Sequence, residues 1–430
     1  MTPASSGNVS VIRDRGLCTG CGICQNVCPQ LAVRIRRYDG LYAPEVDATK
    51  CKSHAGCSRC LRVCPGQGLP IDEMASAFFP TAQPDNLLGR WRILYTGHCT
   101  DRNLRWHGAS GGMVTGLLSW MLRRRMIEGA VVTRYSASDP LRPEAFIART
   151  QDELAEARSS KYCPVTFENI IAQTENCSGT VAVVGLPCHI HALRKAAAER
   201  PKLAARIGWY VGIYCSATRC FGATEYVLSR MGIDRADVSS FAYRDEGCLG
   251  VMKACLKNGS VVRSPYREYY PTIRSFFVPY RCTLCVDHTS ELADVSFGDI
   301  HIPEFWDDEV GVSSVIVRSP VAERLIRDAV ADGWLKVKPV ARDLLVKSQN
   351  AMLRRKKVDT PIRLRLLSML GRAVPRYGEP VAPLGFVSCV RALRATVVLY
   401  AEIAVGASRR LWWIIDLCGG YKLRKRANRA

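Results

Sequence analysis

The stretch CTGCGICQNVCP, residues 18–29, constrains the N-terminal fold most strongly. It places Cys18, Cys21, Cys24 and Cys28 within eleven residues and ends in proline. Disulfide bonds do not explain the run, because such close cysteines cannot all pair, and residues 1–17 lack the apolar core of a secretory signal. Structural zinc sites use separated pairs of ligands. The spacing C-x2-C-x2-C-x3-C-P is instead typical of [4Fe–4S] proteins, in which the fourth cysteine binds a second cluster.

A second cysteine run is therefore expected, and CKSHAGCSRCLRVCP at residues 51–65 provides one. It contains Cys51, Cys57, Cys60 and Cys64, but its first gap is five residues long instead of two. Between the two runs, LAVRIRRYDGLYAPEV alternates around Asp39-Gly40, which predicts a β-hairpin.

Two such runs around a hairpin resemble the two-cluster bacterial ferredoxin domain. The resemblance implies two ligand sets. One consists of Cys18, Cys21, Cys24 and Cys64, and the other of Cys51, Cys57, Cys60 and Cys28.

Composition is ordinary for a globular protein, but the charge is not. The 430 residues include 20 cysteines and carry a formal net charge of +21. Residues 341–430 hold 19 Lys and Arg against 5 Asp and Glu, so most of the excess lies at the C-terminal end. So many cysteines without an export signal indicate a reducing compartment and metal binding. No apolar run reaches the roughly 18 residues of a membrane span. Nucleic acid is a poor fit as a partner, since no recognition fold is evident.

The pattern of elements divides the chain into four parts. Residues 1–65 form the ferredoxin-type module, and 66–90 form a linker with Pro and Gly. Strands alternate with helices over 91–340, which predicts an α/β domain around a central mixed sheet. Residues 341–430 are predicted to be a basic, helical extension. The fold class is accordingly α+β combined with α/β.

Four further motifs lie in the α/β part. Ser110-Gly111-Gly112 stands where a loop enters a helix, a position that suits phosphate binding but also an ordinary tight turn. Cys188 in GLPC and Cys215 in GIYC each follow a strand, at the sheet edge where α/β proteins bind ligands. Cys188 could equally be a buried structural cysteine.

The pair Cys282 and Cys285 forms a C-x2-C motif, followed by ADVSFGD at residues 293–299. One C-x2-C could be half of a zinc site or a redox pair. Together with Cys188 and Cys215, however, it supplies the four ligands of a third [4Fe–4S] cluster.

These motifs, together with Ser160-Lys161-Tyr162, occur in the order found in the coenzyme F-420 hydrogenase/dehydrogenase beta-subunit family. The resemblance covers about residues 92–340. It implies an FAD cofactor, a cluster bound by Cys188, Cys215, Cys282 and Cys285, and reaction with coenzyme F-420. It also implies an FAD site lined by Ser110, Gly111, Gly112, Lys161 and Tyr162. His301 stands where family members often carry an aromatic residue, so the substrate side is not defined, and no catalytic residue is assigned.

The sequence therefore predicts a flavin- and iron–sulfur-dependent oxidoreductase. It would pass electrons between reduced coenzyme F-420 and a partner protein or substrate, because flavin converts two-electron into one-electron transfer. One alternative is an electron-relay subunit without a substrate site. Another is a reductase of a chlorophyll-like or carbohydrate-linked substrate.

The C-terminal stretch SRRLWWIIDLCGGYKLRKRANRA, residues 408–430, joins Trp412 and Trp413 to a cluster of basic residues. Three interpretations fit this composition: an interfacial membrane helix, a docking surface for an acidic partner, and a basic helix packed on the core. We expect a cytoplasmic protein, with peripheral association to the inner membrane face under the first interpretation.

Overall fold

The computed structural model describes residues 7–305, 308–378 and 385–420. The N-terminal module consists of short elements between and around the cysteine runs. They are α1 (Ser10–Asp14), α2 (Ile23–Asn26), β1 (Val33–Tyr38), β2 (Leu41–Val46), a 3-10 turn (Ser53–Ala55) and α3 (Arg59–Arg62).

The predicted hairpin between the cysteine runs is confirmed. β1 pairs antiparallel with β2, and Tyr38 lies opposite Leu41. Asp39 and Gly40 form the two-residue turn with φ angles of 47° and 72°. Positive φ at both positions is the geometry of a type I′ turn, which an Asp-Gly pair adopts at little cost.

The central region alternates strands and helices as predicted. Its elements, in chain order, are α4 (Ile71–Phe78), β3 (Ile93–Cys99), α5 (Arg102–Trp106), α6 (Met113–Arg123), β4 (Gly129–Tyr135), β5 (Pro143–Ala148), α7 (Gln151–Glu156), α8 (Ile170–Glu175), β6 (Val181–Gly185), α9 (Pro187–Glu199), α10 (Pro201–Arg206), β7 (Ile207–Ile213), α11 (Gly222–Arg230), β8 (Val238–Asp245), β9 (Val251–Leu256), β10 (Val261–Pro265), α12 (Tyr266–Ile273), α13 (Tyr280–Thr283), β11 (Val295–Asp299), β12 (Ser313–Val317), α14 (Pro320–Ala331) and β13 (Leu335–Pro339).

An eight-stranded mixed sheet organises this region, with the order β13-β3-β12-β11-β7-β6-β4-β5. The pairs β4–β6, β6–β7 and β7–β11 are parallel, and the others are antiparallel. The carboxyl ends of β6, β7 and β11 therefore meet at one edge. Ligands of open α/β sheets bind at such an edge.

Helices cover both faces of the sheet, which explains the apolar runs in its central strands. All five residues of β12 are buried. On one face, Leu117 of α6 and Leu325 of α14 join the same core cluster as Val315. On the other face, Leu193 of α9 packs in a cluster with Val183 of β6. Such two-sided burial is characteristic of layered α/β domains.

A three-stranded antiparallel sheet, β8–β10, lies beside the main sheet. A hairpin at Asn258-Gly259, a residue pair typical of such turns, joins β9 to β10, and Gly259 has a φ of 87°.

The C-terminal part is helical where it is described. It comprises α15 (Arg342–Arg354), a π-helical turn (Arg355–Asp359), α16 (Thr360–Met369), α17 (Phe386–Ala407), α18 (Trp412–Ile415) and a second π-helical turn (Asp416–Gly420).

The structure corrects the membrane-facing role considered for Trp412. This side chain is buried, with its ring against Tyr226 and Phe277, and its Nε1 donates a hydrogen bond to the carbonyl oxygen of Gly406 at 3.0 Å. Asp416 accepts hydrogen bonds from Tyr226 and Arg230, which fix the same segment to α11. Trp412 is therefore a core residue, as the third interpretation of the tail expects.

Trp413, in contrast, is 56% exposed. The basic residues Lys422, Arg424, Lys425 and Arg426 lie outside the described residues. Among the helices that are described, none combines the length and apolar character needed to cross a bilayer.

Candidate iron–sulfur and flavin site

The first predicted ligand set surrounds one cavity in the N-terminal module. Cys18, Cys21, Cys24 and Cys64 all line it. The remaining walls are mostly apolar and include Val9, Ile12, Ile23, Ile35 and Val63. Four thiols facing one apolar cavity are the donor set that a cubane cluster requires.

Electrostatics between the thiols give the same grouping. Burial raises the pKa of Cys24, and the thiolates of Cys21, Cys64 and Cys18 raise it further. In the second set, burial and then the thiolates of Cys28, Cys51 and Cys57 raise the pKa of Cys60. The last cysteine of each run therefore lies beside the first three cysteines of the other run: Cys64 with the first set, and Cys28 with the second.

Backbone amides donate to several of these sulfurs. Gly20 N lies 3.3 Å from Cys18 Sγ, and Gly66 N lies 3.3 Å from Cys64 Sγ. Gly66 has no room for a side chain, because a Cβ would stand 2.5 Å from Ile12 Cγ2. Such donors stabilise thiolate charge and raise a cluster's reduction potential.

The third set comes together at the carboxyl edge of the sheet. Cys188 is in the first turn of α9, just after β6, and Cys215 follows β7. Cys282 lies in α13, and Cys285 follows it. Burial raises the pKa of Cys188, and the thiolates of Cys215, Cys21, Cys282 and Cys285 raise it further. The four thiols are thus neighbours, as expected from two adjacent parallel strands and one C-x2-C pair.

A buried lysine faces this third set. Lys356 is 3% exposed, and its Nζ donates to the carbonyl oxygen of Asp287 at 2.8 Å. Burial lowers the pKa of Lys356, but the thiolates of Cys285, Cys215 and Cys282 outweigh it and raise the pKa overall. A fixed positive charge beside several thiolates suits an anionic cluster.

Among residues 7–305, 308–378 and 385–420, no group of three or more His, Cys, Asp or Glu side chains stands close enough to hold a single metal ion. Cubane ligands stand farther apart, since each thiolate binds a different iron atom.

The first set neighbours both of the others. Arg281, beside Cys282, donates to the carbonyl oxygen of Pro65, beside Cys64, at 3.1 Å. Cys21 of the first set interacts electrostatically with Cys188 of the third. At the other end, Cys24 of the first set interacts with Cys60 of the second. The order is third, first, second, running from the sheet edge into the N-terminal module.

The Ser110-Gly111-Gly112 loop lies over the ends of β3 and β12. Gly111 must be glycine for packing, because a Cβ would stand 2.6 Å from Gly97 O and 2.9 Å from Ser313 N. Gly112 caps α6 with a φ of 67° and no side-chain hydrogen bond, so the first amides of α6 lack a side-chain acceptor. These amides are suited to an anion such as a phosphate.

Lys161 and Tyr162 have structural contacts of their own. Lys161 Nζ donates to the carbonyl oxygens of Ala157, Arg158 and Ser159 at 2.8, 2.6 and 3.2 Å. Burial lowers its pKa to about 7. The three donor positions of this ammonium are thus used at the end of α7. Tyr162 packs against a group of tyrosine rings, with centroid distances of 5.2 Å to Tyr243, 6.5 Å to Tyr266 and 5.0 Å to Tyr270.

Sequence reasoning missed Arg244, which links the predicted loops. It is 2% exposed, and its Nη1 lies 2.6 Å from Asp299 Oδ2 at the end of β11. Its backbone N–H donates to Ser159 Oγ, and its Nη2 lies 3.9 Å from Cys248 Sγ. No spacing pattern around Arg244 marks it in the sequence. Its ion pair with the aspartate of ADVSFGD becomes visible only once β8 and β11 are placed together.

His301, the residue that departs from the family pattern, lies at the rim of the same region. Its Nε2 is 3.9 Å from Asp299 Oδ2, and half of its side chain is exposed.

Two models of one family match the chain in sequence. The N-terminal model of the coenzyme F-420 hydrogenase/dehydrogenase beta subunit matches residues 94–172, and the C-terminal model matches residues 178–343. The chain belongs to this family. A 4Fe-4S dicluster domain model matches residues 17–68, so the N-terminal module is a dicluster domain.

Individual relatives are distant. The coenzyme F-420-dependent sulfite reductase of Methanocaldococcus jannaschii is 26% identical over 74% of this chain, which spans only 47% of that protein. The beta subunit of coenzyme F-420 hydrogenase from Methanothermobacter thermautotrophicus is 28% identical, over 59% of this chain and 86% of its own length.

A solved structure shares the fold. It is a chain of the F-420-reducing [NiFe] hydrogenase complex from Methanosarcina barkeri, with a TM-score of 0.53 and 21% identity. The match covers 69% of this chain and 99% of that one. The three sequence models, and not this structure, confirm the family expected from the motifs and the cluster-binding N-terminal module.

Proposed function

We propose that this protein is an FAD- and [4Fe–4S]-dependent oxidoreductase that passes electrons between reduced coenzyme F-420 and a partner protein. The observation that carries the proposal is the adjacency of the cysteine sets. Arg281, which precedes Cys282 of the third set, donates to the carbonyl oxygen of Pro65, which follows Cys64 of the first set, at 3.1 Å. A row that begins at the ligand-binding edge of the sheet and ends in a dicluster domain is the arrangement of an electron conduit.

Coenzyme F-420 as the hydride carrier is proposed from the named relatives. The sulfite reductase and the hydrogenase beta subunit both carry the coenzyme in their names. The chain shares their family but covers less than half of the sulfite reductase, so its electron acceptor does not follow from that relative.

Flavin, when bound, accepts two electrons as hydride and releases them singly. The residues proposed to hold it are Ser110, Gly111, Gly112, Lys161 and Tyr162. The uncapped start of α6 would take its phosphates, and the close approach of Gly111 to β3 and β12 keeps that loop at the sheet edge. Because Lys161 already donates to three carbonyls, its part is to fix the loop that carries Tyr162.

The proposed ligands of the third cluster are Cys188, Cys215, Cys282 and Cys285. Their position between the sheet edge and Cys21 would let this cluster connect the flavin to the dicluster domain.

Cofactor content tests the proposal. Three cubane clusters correspond to about twelve iron atoms per chain. We expect that number, together with one FAD, in anaerobically reconstituted protein analysed for iron and for extracted flavin. Iron near eight would contradict the third cluster, and clusters without flavin would indicate a relay subunit.

We also propose peripheral binding to anionic membranes through α17. The exposed large apolar side chains of this helix are Val387, Val390, Leu393, Val397 and Val398, and Trp413 follows it. Arg394, Arg409 and Arg410 are exposed nearby, so apolar area and positive charge occur together. That combination is typical of helices lying in a membrane interface.

A further inference from the structure

The second cluster set reaches the surface at an open, basic depression. About 770 Å³ of space lies above it. Its lining residues are Pro29, Gln30, Lys52, Ala55, Gly56, Cys57, Ser58, Arg59 and Arg62. One of the proposed cluster ligands, Cys57, is therefore part of the wall, and Pro29 follows another, Cys28.

The unusual spacing of the second cysteine run builds one rim of this depression. Its first gap contains residues 52–56, where the standard spacing has two residues. Ser53–Ala55 form a 3-10 turn that ends at Gly56, which has a φ of 82° and would have open space around an added Cβ. Lys52 and Gly56 are exposed. The extra residues thus form a surface loop beside the ligands and do not disturb the ligand set itself.

The depression is positively charged. Lys52 and Arg59 are exposed and form no ion pair within the described part of the chain. Arg62 is paired with Glu199, at 2.9 and 2.8 Å, and so contributes less. Over residues 1–68 the sequence has nine Lys and Arg against four Asp and Glu, a net charge of +5.

The other two cysteine sets are less accessible. Apolar side chains such as Ile12 and Val63 wall the cavity of the first set. In the third set, burial is the largest cause of the raised pKa of Cys188, Cys215 and Cys282. The second set ends the row, so it is the place where an external carrier comes closest to a cluster.

We propose that this depression docks an acidic electron-carrier protein, which exchanges electrons with the cluster bound by Cys28, Cys51, Cys57 and Cys60. The inference rests on the proposed function, since it names the class of protein that would exchange electrons with the three proposed clusters. Each encounter transfers one electron to the oxidised carrier. Two encounters balance the two electrons of one hydride, and the proton is released to solvent at the hydride-oxidising site.

A charge-reversal experiment tests the surface. The test variant combines Lys52→Glu with Arg59→Glu. The matched control combines Arg324→Glu on α14 with Lys338→Glu on β13, both exposed and without ion pairs among the described residues. The probe is an acidic plant-type [2Fe–2S] ferredoxin, and every protein is the full chain with its clusters.

Two measurements are made at 20 mM and 300 mM salt, conditions chosen to span weak and strong screening. One is direct binding of oxidised ferredoxin by calorimetry. The other is the rate at which the dithionite-reduced protein reduces it. Steering by surface charge changes association by roughly tenfold or more at low salt. We expect about a tenfold loss of affinity and rate in the test variant at low salt, little difference at high salt, and wild-type behaviour in the control.

Equal binding and equal rates in both variants would overturn the proposal, as would an equal loss in the control. Iron content and the absorption spectrum of each variant show whether the clusters are intact. The measurements use dithionite and not coenzyme F-420. Failure of the hydride donor to reduce the wild-type protein would therefore overturn the proposed function while the docking result stood on its own.

Discussion

At the scale of single residues, the third cluster depends on the thiols of Cys188, Cys215, Cys282 and Cys285. Changing Cys285→Ala should remove that cluster alone, because this residue belongs to neither of the other two proposed ligand sets. Iron should fall from about twelve to about eight atoms per chain, with flavin retained. Reduced coenzyme F-420 should still bleach the flavin but should no longer reduce the dicluster domain. Cluster reduction at the wild-type rate would refute the assignment.

Lys356 is expected to set the potential of the same cluster. Its buried charge faces Cys215, Cys282 and Cys285 and would stabilise the more negative, reduced state. Lys356→Met should therefore shift the third cluster's midpoint potential downward in a spectroscopic redox titration. The exposed Lys347 on α15 supplies the control variant Lys347→Met, whose potentials should match wild type. An unchanged potential in the Lys356 variant with intact iron content would contradict this role.

We expect substitution of Arg244 to lower the FAD content of the protein and to leave its iron content unchanged. The guanidinium of Arg244 holds the partly buried carboxylate of Asp299, so Arg244→Met removes this partner, while the backbone hydrogen bond from residue 244 to Ser159 Oγ remains. Losing one member of such a pair costs on the order of 3 kcal/mol locally. We expect reduced FAD content with all clusters retained, measured by flavin extraction and iron analysis. Normal flavin and loss of iron would place Arg244 in a different role.

At the scale of elements, the sequence predicts local structure well and the assembly of elements poorly. The hairpins at Asp39-Gly40 and Asn258-Gly259 were predictable because turn residues and alternation act over a few positions. The strand order was not, since β12 and β13 return to pair with β3 from more than 200 residues away. The contact between Arg244 and Asp299 could not be predicted for the same reason, because it joins β8 to β11. The interpretations of Trp412 stayed open in the sequence because apolar residues next to basic ones fit a lipid surface and the protein's own core equally.

The helix α17 offers the sharpest test of the membrane proposal. Introducing Val390→Glu and Val397→Glu places two charges on its exposed apolar face. Binding to phosphatidylserine-containing vesicles should then fall strongly in co-sedimentation assays. The control variant, Val261→Glu with Val321→Glu, changes two valines of comparable exposure on β10 and α14 and should bind normally. Undiminished binding of the α17 variant, or no binding of wild type at low salt, would reject the proposal.

At the scale of the whole molecule, the sheet and the dicluster domain are the two ends of the proposed conduit. The module is fixed to the sheet by contacts around the proposed ligands. Phe167 N donates to Cys21 O at 2.9 Å, and Lys195 Nζ donates to Cys64 O at 3.0 Å. Gly22 permits the close approach, because a Cβ there would stand 2.8 Å from Glu168 N. The proposed ligand sets come from cysteine spacing and family resemblance, whereas their positions relative to one another required the fold.

The most direct test of this conduit is an anaerobic stopped-flow experiment with reduced coenzyme F-420. We expect flavin absorbance to bleach first and cluster absorbance to follow, until the dicluster domain is reduced. The Cys285→Ala variant should show the first phase without the second. Absence of both phases in wild-type protein containing its full complement of flavin and iron would contradict electron transfer from coenzyme F-420 through the row of clusters.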